Sequence, residues 1–127
     1  MELLVRLFLG VLLVAHGLVH LMWFAPNDDP AWPFRLDRSW LISETTRKPV
    51  AIALVSLTVA GFALLALAVW GVPGLASIWP GLAIGSAVAS LIALVLFWDR
   101  QLLWGVAIDV ALIVVALWRP GWTDRLG

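Results

Sequence analysis

Four runs of apolar residues, 3–24, 49–70, 81–98 and 102–118, take up most of this 127-residue chain. At about 1.5 Å of rise per residue, each approaches the roughly 30 Å of hydrocarbon that a membrane-crossing helix must cover. No two-residue alternation runs through them, which argues against a membrane barrel. Hydrophobic residues make up 63% of the chain and charged residues 13%. A water-soluble domain of this size buries only part of its surface and could not hide so much apolar area. Lipid is its natural solvent. The expected fold is all-α: one domain over residues 1–127, an integral membrane four-helix bundle with a long first loop, 25–48.

The punctuation agrees. Pro49 is expected at a helix start, where its missing N–H costs nothing. Gly71 to Pro80 reads as an uncharged loop, and Asp99-Arg100-Gln101 as a tight turn that makes the last two spans antiparallel neighbours. Gly121 reads as a stop after Arg119 and Pro120. Trp23, Trp70, Trp79, Trp98, Trp104, Trp118 and Trp122 lie near span ends, where an indole is expected at the headgroup level. The first run starts without a basic leader and stays apolar longer than a signal peptide, so it reads as a retained span. The first loop carries Asp28, Asp29, Arg35, Asp37, Arg38, Glu44, Arg47 and Lys48. Its stretch from Phe34 to Ile42 reads either as a short segment along the membrane surface or as a solvated loop with an aromatic anchor. Arg35, Arg38, Arg47, Lys48 and Arg100 on one side, against Arg6, Arg119 and Arg125 on the other, place the long loop in the cytoplasm.

Composition also limits the chemistry. Cysteine and tyrosine are absent, which removes thiolate nucleophiles, disulfides, iron–sulfur ligation and phenolic acids. Net charge is zero, and no cluster of Lys and Arg reads as a nucleic-acid patch. The partners expected are membrane lipid and a second copy or a partner membrane protein. For the latter the signal is Gly81, Gly85, Ala89 and Ala93, small residues at four-residue spacing in the third span. Such a stripe lets helix backbones approach closely, either within the bundle or between chains. Gly10 and Gly17 in the first span could receive that neighbour.

The polar residues inside the spans are the candidate site, because ionisable groups in hydrocarbon are costly. Counting depth along each span puts His16 about 4 Å from the midplane, His20 about 10 Å towards the long loop, and Asp109 within about 2 Å of it. Thr58 and Ser90 fall at similar depth, so all four helices supply a polar group to one central layer. Asp109 and His16 are natural partners, either as a structural hydrogen bond or as a proton relay. His20 is expected at the mouth of the bundle. Spacing of four residues could also place His16 and His20 on one metal ion, with Asp109, Asp28 or Asp29 as a third ligand. Two histidines on one helix face cannot clamp both sides of a haem within one chain. An open apolar bundle could instead hold a quinone or lipid tail, with His20 or Asp109 bonding its oxygen.

In size, in its four short spans and in a first span reading Arg6-Leu7-Phe8-Leu9-Gly10 with a His16-Gly17 step near its far end, the chain resembles the DoxX-like group of small bacterial membrane proteins. The resemblance implies a multi-pass protein of the bacterial cytoplasmic membrane. It further implies an accessory or subunit role, since some members are similar to subunits of quinone-linked sulfur-oxidising enzymes. The His16/His20 pair and the charged, Trp-rich first loop depart from that pattern, and no functional residue is carried over from it.

Overall fold

The computed structural model describes residues 2–25, 29, 31–35 and 39–125. Four helices run through them: α1 Glu2–Leu18, α2 Glu44–Val69, α3 Trp79–Leu96 and α4 Leu103–Trp118. With the 3-10 turns that extend α1, α3 and α4, each is long and apolar enough to cross a membrane. No strand occurs among the described residues.

The helix ends are fixed by local chemistry. The second helix begins five residues before Pro49, which therefore lies inside it and not at its start. Ser43, in extended backbone, turns the chain, its carbonyl accepting from Thr46 N at 3.1 Å and Arg47 N at 3.2 Å. Glu44 in the first turn suits the positive end of the helix dipole. At the other end Gly71 takes φ 92°, and Val72 N and Gly71 N donate back to Leu67 O and Ala68 O, each at 3.0 Å. This paired closure needs a left-handed residue, which glycine supplies without strain. It leaves the Val69 carbonyl free, and Arg6 Nε donates to it at 3.0 Å. Arg6 thus closes α2. The last helix stops at Arg119, which adopts φ 51°, two residues before the expected Gly121. Pro120 forbids continuation, and Arg119 N closes the helix on Val115 O at 2.8 Å.

The first loop folds back on α3. Ser39 Oγ donates to Leu96 O at 2.7 Å and Trp40 Nε1 to Val95 O at 2.6 Å, satisfying carbonyls that a helix end leaves orphaned. Gln101 Nε2 ties the loop to the last turn through Ala31 O at 3.0 Å. Residues 36–38 of the segment expected along the membrane surface lie outside the described residues, as do Pro26, Asp28 and Pro30.

Neighbouring helices in the chain pack side by side, α1 on α2, α2 on α3 and α3 on α4, whereas α1 and α4 share no extensive face. The close approaches are specific. A Cβ on Gly17 would stand 2.8 Å from Phe62 Cβ, one on Gly10 would overlap the Trp70 indole, and one on Gly61 would overlap Ser86 Oγ. Gly10 and Gly17 therefore receive α2, not the third span. The expected stripe on α3 is not one face either. Gly81 and Gly85 are exposed and face open space, Ala89 is half-buried and Ala93 is buried. Steps of four residues drift by about 40° each on a helix of 3.6 residues per turn, so the stripe winds from outside to core. The inward face carries Ala83, Ser86, Ala87 and Ser90 instead.

Two apolar clusters fill the bundle. One gathers Phe62, Leu65, Val69, Trp79, Ala83 and Ala116; the other gathers Trp23, Val55, Ala93, Leu94, Phe97 and Leu102. Trp23 and Trp79 are therefore core residues, while Trp70, Trp98, Trp104 and Trp118 are exposed as expected of interfacial indoles. The side chain of Trp122 lies outside the described residues.

Candidate functional site

Between the two clusters every helix carries buried polar groups, and those of three helices join. His16 Nε2 on α1 is 2.8 Å from Asp109 Oδ1 on α4. Asp109 Oδ2 is bonded to Ser90 Oγ on α3. Ser90 Oγ is in turn 2.7 Å from Nε2 of His20. The result is one unbroken chain, His16–Asp109–Ser90–His20, that begins and ends on the same helix. Asp109 and Ser90 are fully buried. In hydrocarbon, a carboxyl group needs such partners, because nothing outside the protein can satisfy it.

His20 is not at the mouth of the bundle. It is 1% exposed, whereas the His16 side chain keeps 9%. The cause is local. After Leu18 the first helix tightens into a 3-10 turn, Val19–Phe24. A 3-10 turn advances about 120° per residue against about 100° in an α-helix, so His20 swings further round than a spacing of four implies. Its Nδ1 then lies 3.0 Å from the carbonyl of His16 and 3.2 Å from that of Gly17. Carbonyls only accept, so Nδ1 carries the proton. The His16 ring meets Phe62 edge-on at 4.9 Å and His20 at 5.5 Å.

Thr58 is fully buried at the expected depth but stays out of the chain, its hydroxyl donating to Leu54 O of its own helix at 2.7 Å. The metal arrangement is not brought together. Both nitrogens of His20 are engaged, the two Nε2 atoms make different bonds, and no group of three ligand-type residues gathers among the described residues. Asp29 caps its own loop, Oδ1 accepting from Ala31 N at 2.9 Å.

Where α1 and α4 part, a cavity of about 660 Å³ opens. Leu9, Leu13, Val69, Trp79 and Leu112 line its inner part, and Leu12, Trp104 and Ile108, all exposed, line its outer edge. His16, His20 and Gln101 are the polar side chains among its walls. His16 Nδ1 has no hydrogen-bond partner among the described residues, yet it is not sealed off as Trp23 Nε1 and Ser86 Oγ are. His16 lines the cavity, and Nδ1 is its ring nitrogen not engaged by Asp109. The sequence holds no signal for this opening, nor for the roles of Phe62 and Gly105, which bound the histidine ring.

No protein-family model, curated protein or solved structure matches the chain. Function must be argued from this site.

Proposed function

We propose that this is a small multi-pass protein of the bacterial cytoplasmic membrane, DoxX-like in kind, that holds an apolar ligand of the quinone or lipid class between α1 and α4. Its role is that of an accessory or subunit protein, with the long loop in the cytoplasm. One observation carries the reading: an apolar cavity of about 660 Å³ whose wall is broken at His16, the free end of a buried polar chain. Small-molecule sites of about 300–1,000 Å³ are built this way, mostly apolar with a few placed polar groups that orient the head. The lining suits the quinone class: apolar side chains hold the tail and the His16 ring reaches the head group. A bound quinone would supply electron and proton transfer; the residues hold and orient it.

Native mass spectrometry of protein purified in mild detergent tests this. The expected result is one retained apolar molecule per chain, or uptake of added decylquinone or decylhydroquinone, lost when Ala111→Trp fills the cavity that Ala111 lines. Wild-type protein that retains nothing and takes up nothing would overturn the reading. The same spectra report whether a second copy or a partner protein docks where Gly81 and Gly85 face outward.

A proton relay is the second reading, favoured by the unbroken chain from His16 to His20. It requires that Asp109→Asn stop a proton flux that wild-type protein supports in liposomes.

A further inference from the structure

The hydrogen-bond chain fixes which atom of His16 carries its proton, and with it the kind of head group the cavity accepts. Three gaps need one proton each: His20 Nε2 to Ser90 Oγ, Ser90 Oγ to Asp109 Oδ2, and Asp109 Oδ1 to His16 Nε2. Nδ1 of His20 is already committed to the carbonyls of His16 and Gly17. Ser90 has a single proton, which fills one of its two gaps. If it points to His20, Asp109 is the neutral acid with its proton on Oδ2, and both histidines are neutral. If it points to Asp109, then Asp109 is a carboxylate and His20 an imidazolium, again neutral in sum.

Both arrangements place the His16 proton on Nε2, facing Asp109. The alternative, an acid proton on Oδ1 donated to His16, leaves two outcomes. Either His20 is a cation with no counter-charge in the bundle, or Ser90 Oγ and Asp109 Oδ2 face each other with no proton between them. Burial in hydrocarbon penalises both heavily. Every electrically neutral state that fills all three gaps therefore leaves His16 Nδ1 as a bare lone pair.

We infer that the α1–α4 cavity selects an apolar molecule carrying a hydroxyl group, which donates its hydrogen bond to His16 Nδ1. Ligands that offer only an acceptor there, such as a ketone, a quinone carbonyl, an ester or an ether, meet lone pair with lone pair. The inference rests on the cavity binding a ligand at all. It adds that an alcohol, a phenol or a hydroquinone binds better than its acceptor-only counterpart. Carried to the quinone class, it says the reduced form is held in preference to the oxidised one.

The test is direct binding to wild-type protein in lipid nanodiscs by titration calorimetry, with para-decylphenol against its methyl ether and decylhydroquinone against decylquinone. The hydroxyl member of each pair is expected to bind about tenfold tighter, the worth of one well-placed hydrogen bond in a dry site. Hexadecanol distinguishes the sources. Binding equal to the phenol's points to a lipid alcohol, and weaker binding to a phenolic head; either agrees with the donor rule. In His16→Phe, which keeps a ring but has no acceptor, phenol and ether should bind alike. Equal affinities within each pair in wild-type protein, or a preference for ether or quinone, would overturn the donor rule and leave the cavity reading intact. If no probe binds, both fall.

Discussion

Replacing Asp109 by asparagine and by alanine separates a neutral polar core from a charged one. An asparagine amide has the outline of the protonated acid. Its oxygen can accept from His16 Nε2, and its N–H can donate to Ser90 Oγ, which donates on to His20 Nε2. All three bonds of the neutral arrangement survive. Asp109→Asn should therefore change stability by less than about 0.5 kcal/mol, below the worth of one interhelical hydrogen bond in a membrane protein. Asp109→Ala removes two of those bonds, each worth about 0.6–1.7 kcal/mol in bilayer-embedded bundles, so a loss of about 1–3 kcal/mol is expected. The site is sealed from solvent, and water cannot make up the difference at Ser90. Equilibrium unfolding in mixed micelles, following tryptophan fluorescence, gives both values. If asparagine destabilises as much as alanine, the carboxylate charge itself is required. The imidazolium–carboxylate arrangement would then be the resident one, and the reasoning from a neutral acid would fail.

Other substitutions probe the packing. Gly17→Ala pushes a methyl group to 2.8 Å from Phe62 Cβ. Overpacking of about 1–3 kcal/mol should outweigh the gain of about 1 kcal/mol in helix propensity, lowering the melting temperature in detergent. Gly85→Ala faces open space and should leave that temperature unchanged or raise it slightly; a drop would place another surface against α3. Arg6→Met frees the Val69 carbonyl at the end of α2 and should cost about 1 kcal/mol, with faster amide exchange confined to residues 69–72.

Much of the architecture was legible because lipid imposes a length on each helix, and the apolar runs are bounded by Pro, Gly and charge. The depth of the polar layer was legible for the same reason: position along a span can be counted. His16, Asp109 and Ser90 meet as that count implies. Direction around the helix axis could not be counted. In a soluble bundle the apolar stripe reveals it, but here lipid and core are equally apolar and the stripe disappears. Two differences follow from that one loss. Thr58 lies at the depth of the layer but bonds its own helix, and the residues from Gly81 to Ala93 wind around α3 where their spacing reads as one face. The placing of His20 at the mouth rests on depth alone, and its burial comes with the 3-10 turn. The 3-10 turn at Val19 and the gap between α1 and α4 depend on tertiary packing and leave no local mark in the sequence.

The parting of α1 from α4 bears on how any affinity for this site should be expressed. Its outer edge, with Leu12, Trp104 and Ile108 exposed, belongs to helices long and apolar enough to lie in hydrocarbon. A ligand would then arrive sideways, from among acyl chains, and need never cross water at the site. The concentration that drives occupancy is its mole fraction in the bilayer, which for a decyl-chain compound far exceeds its concentration in the buffer. A methyl ether partitions into lipid more strongly than its parent phenol. Affinities referred to bulk concentration would therefore flatter the ether and mask a preference for the hydroxyl, so the two must be compared per lipid.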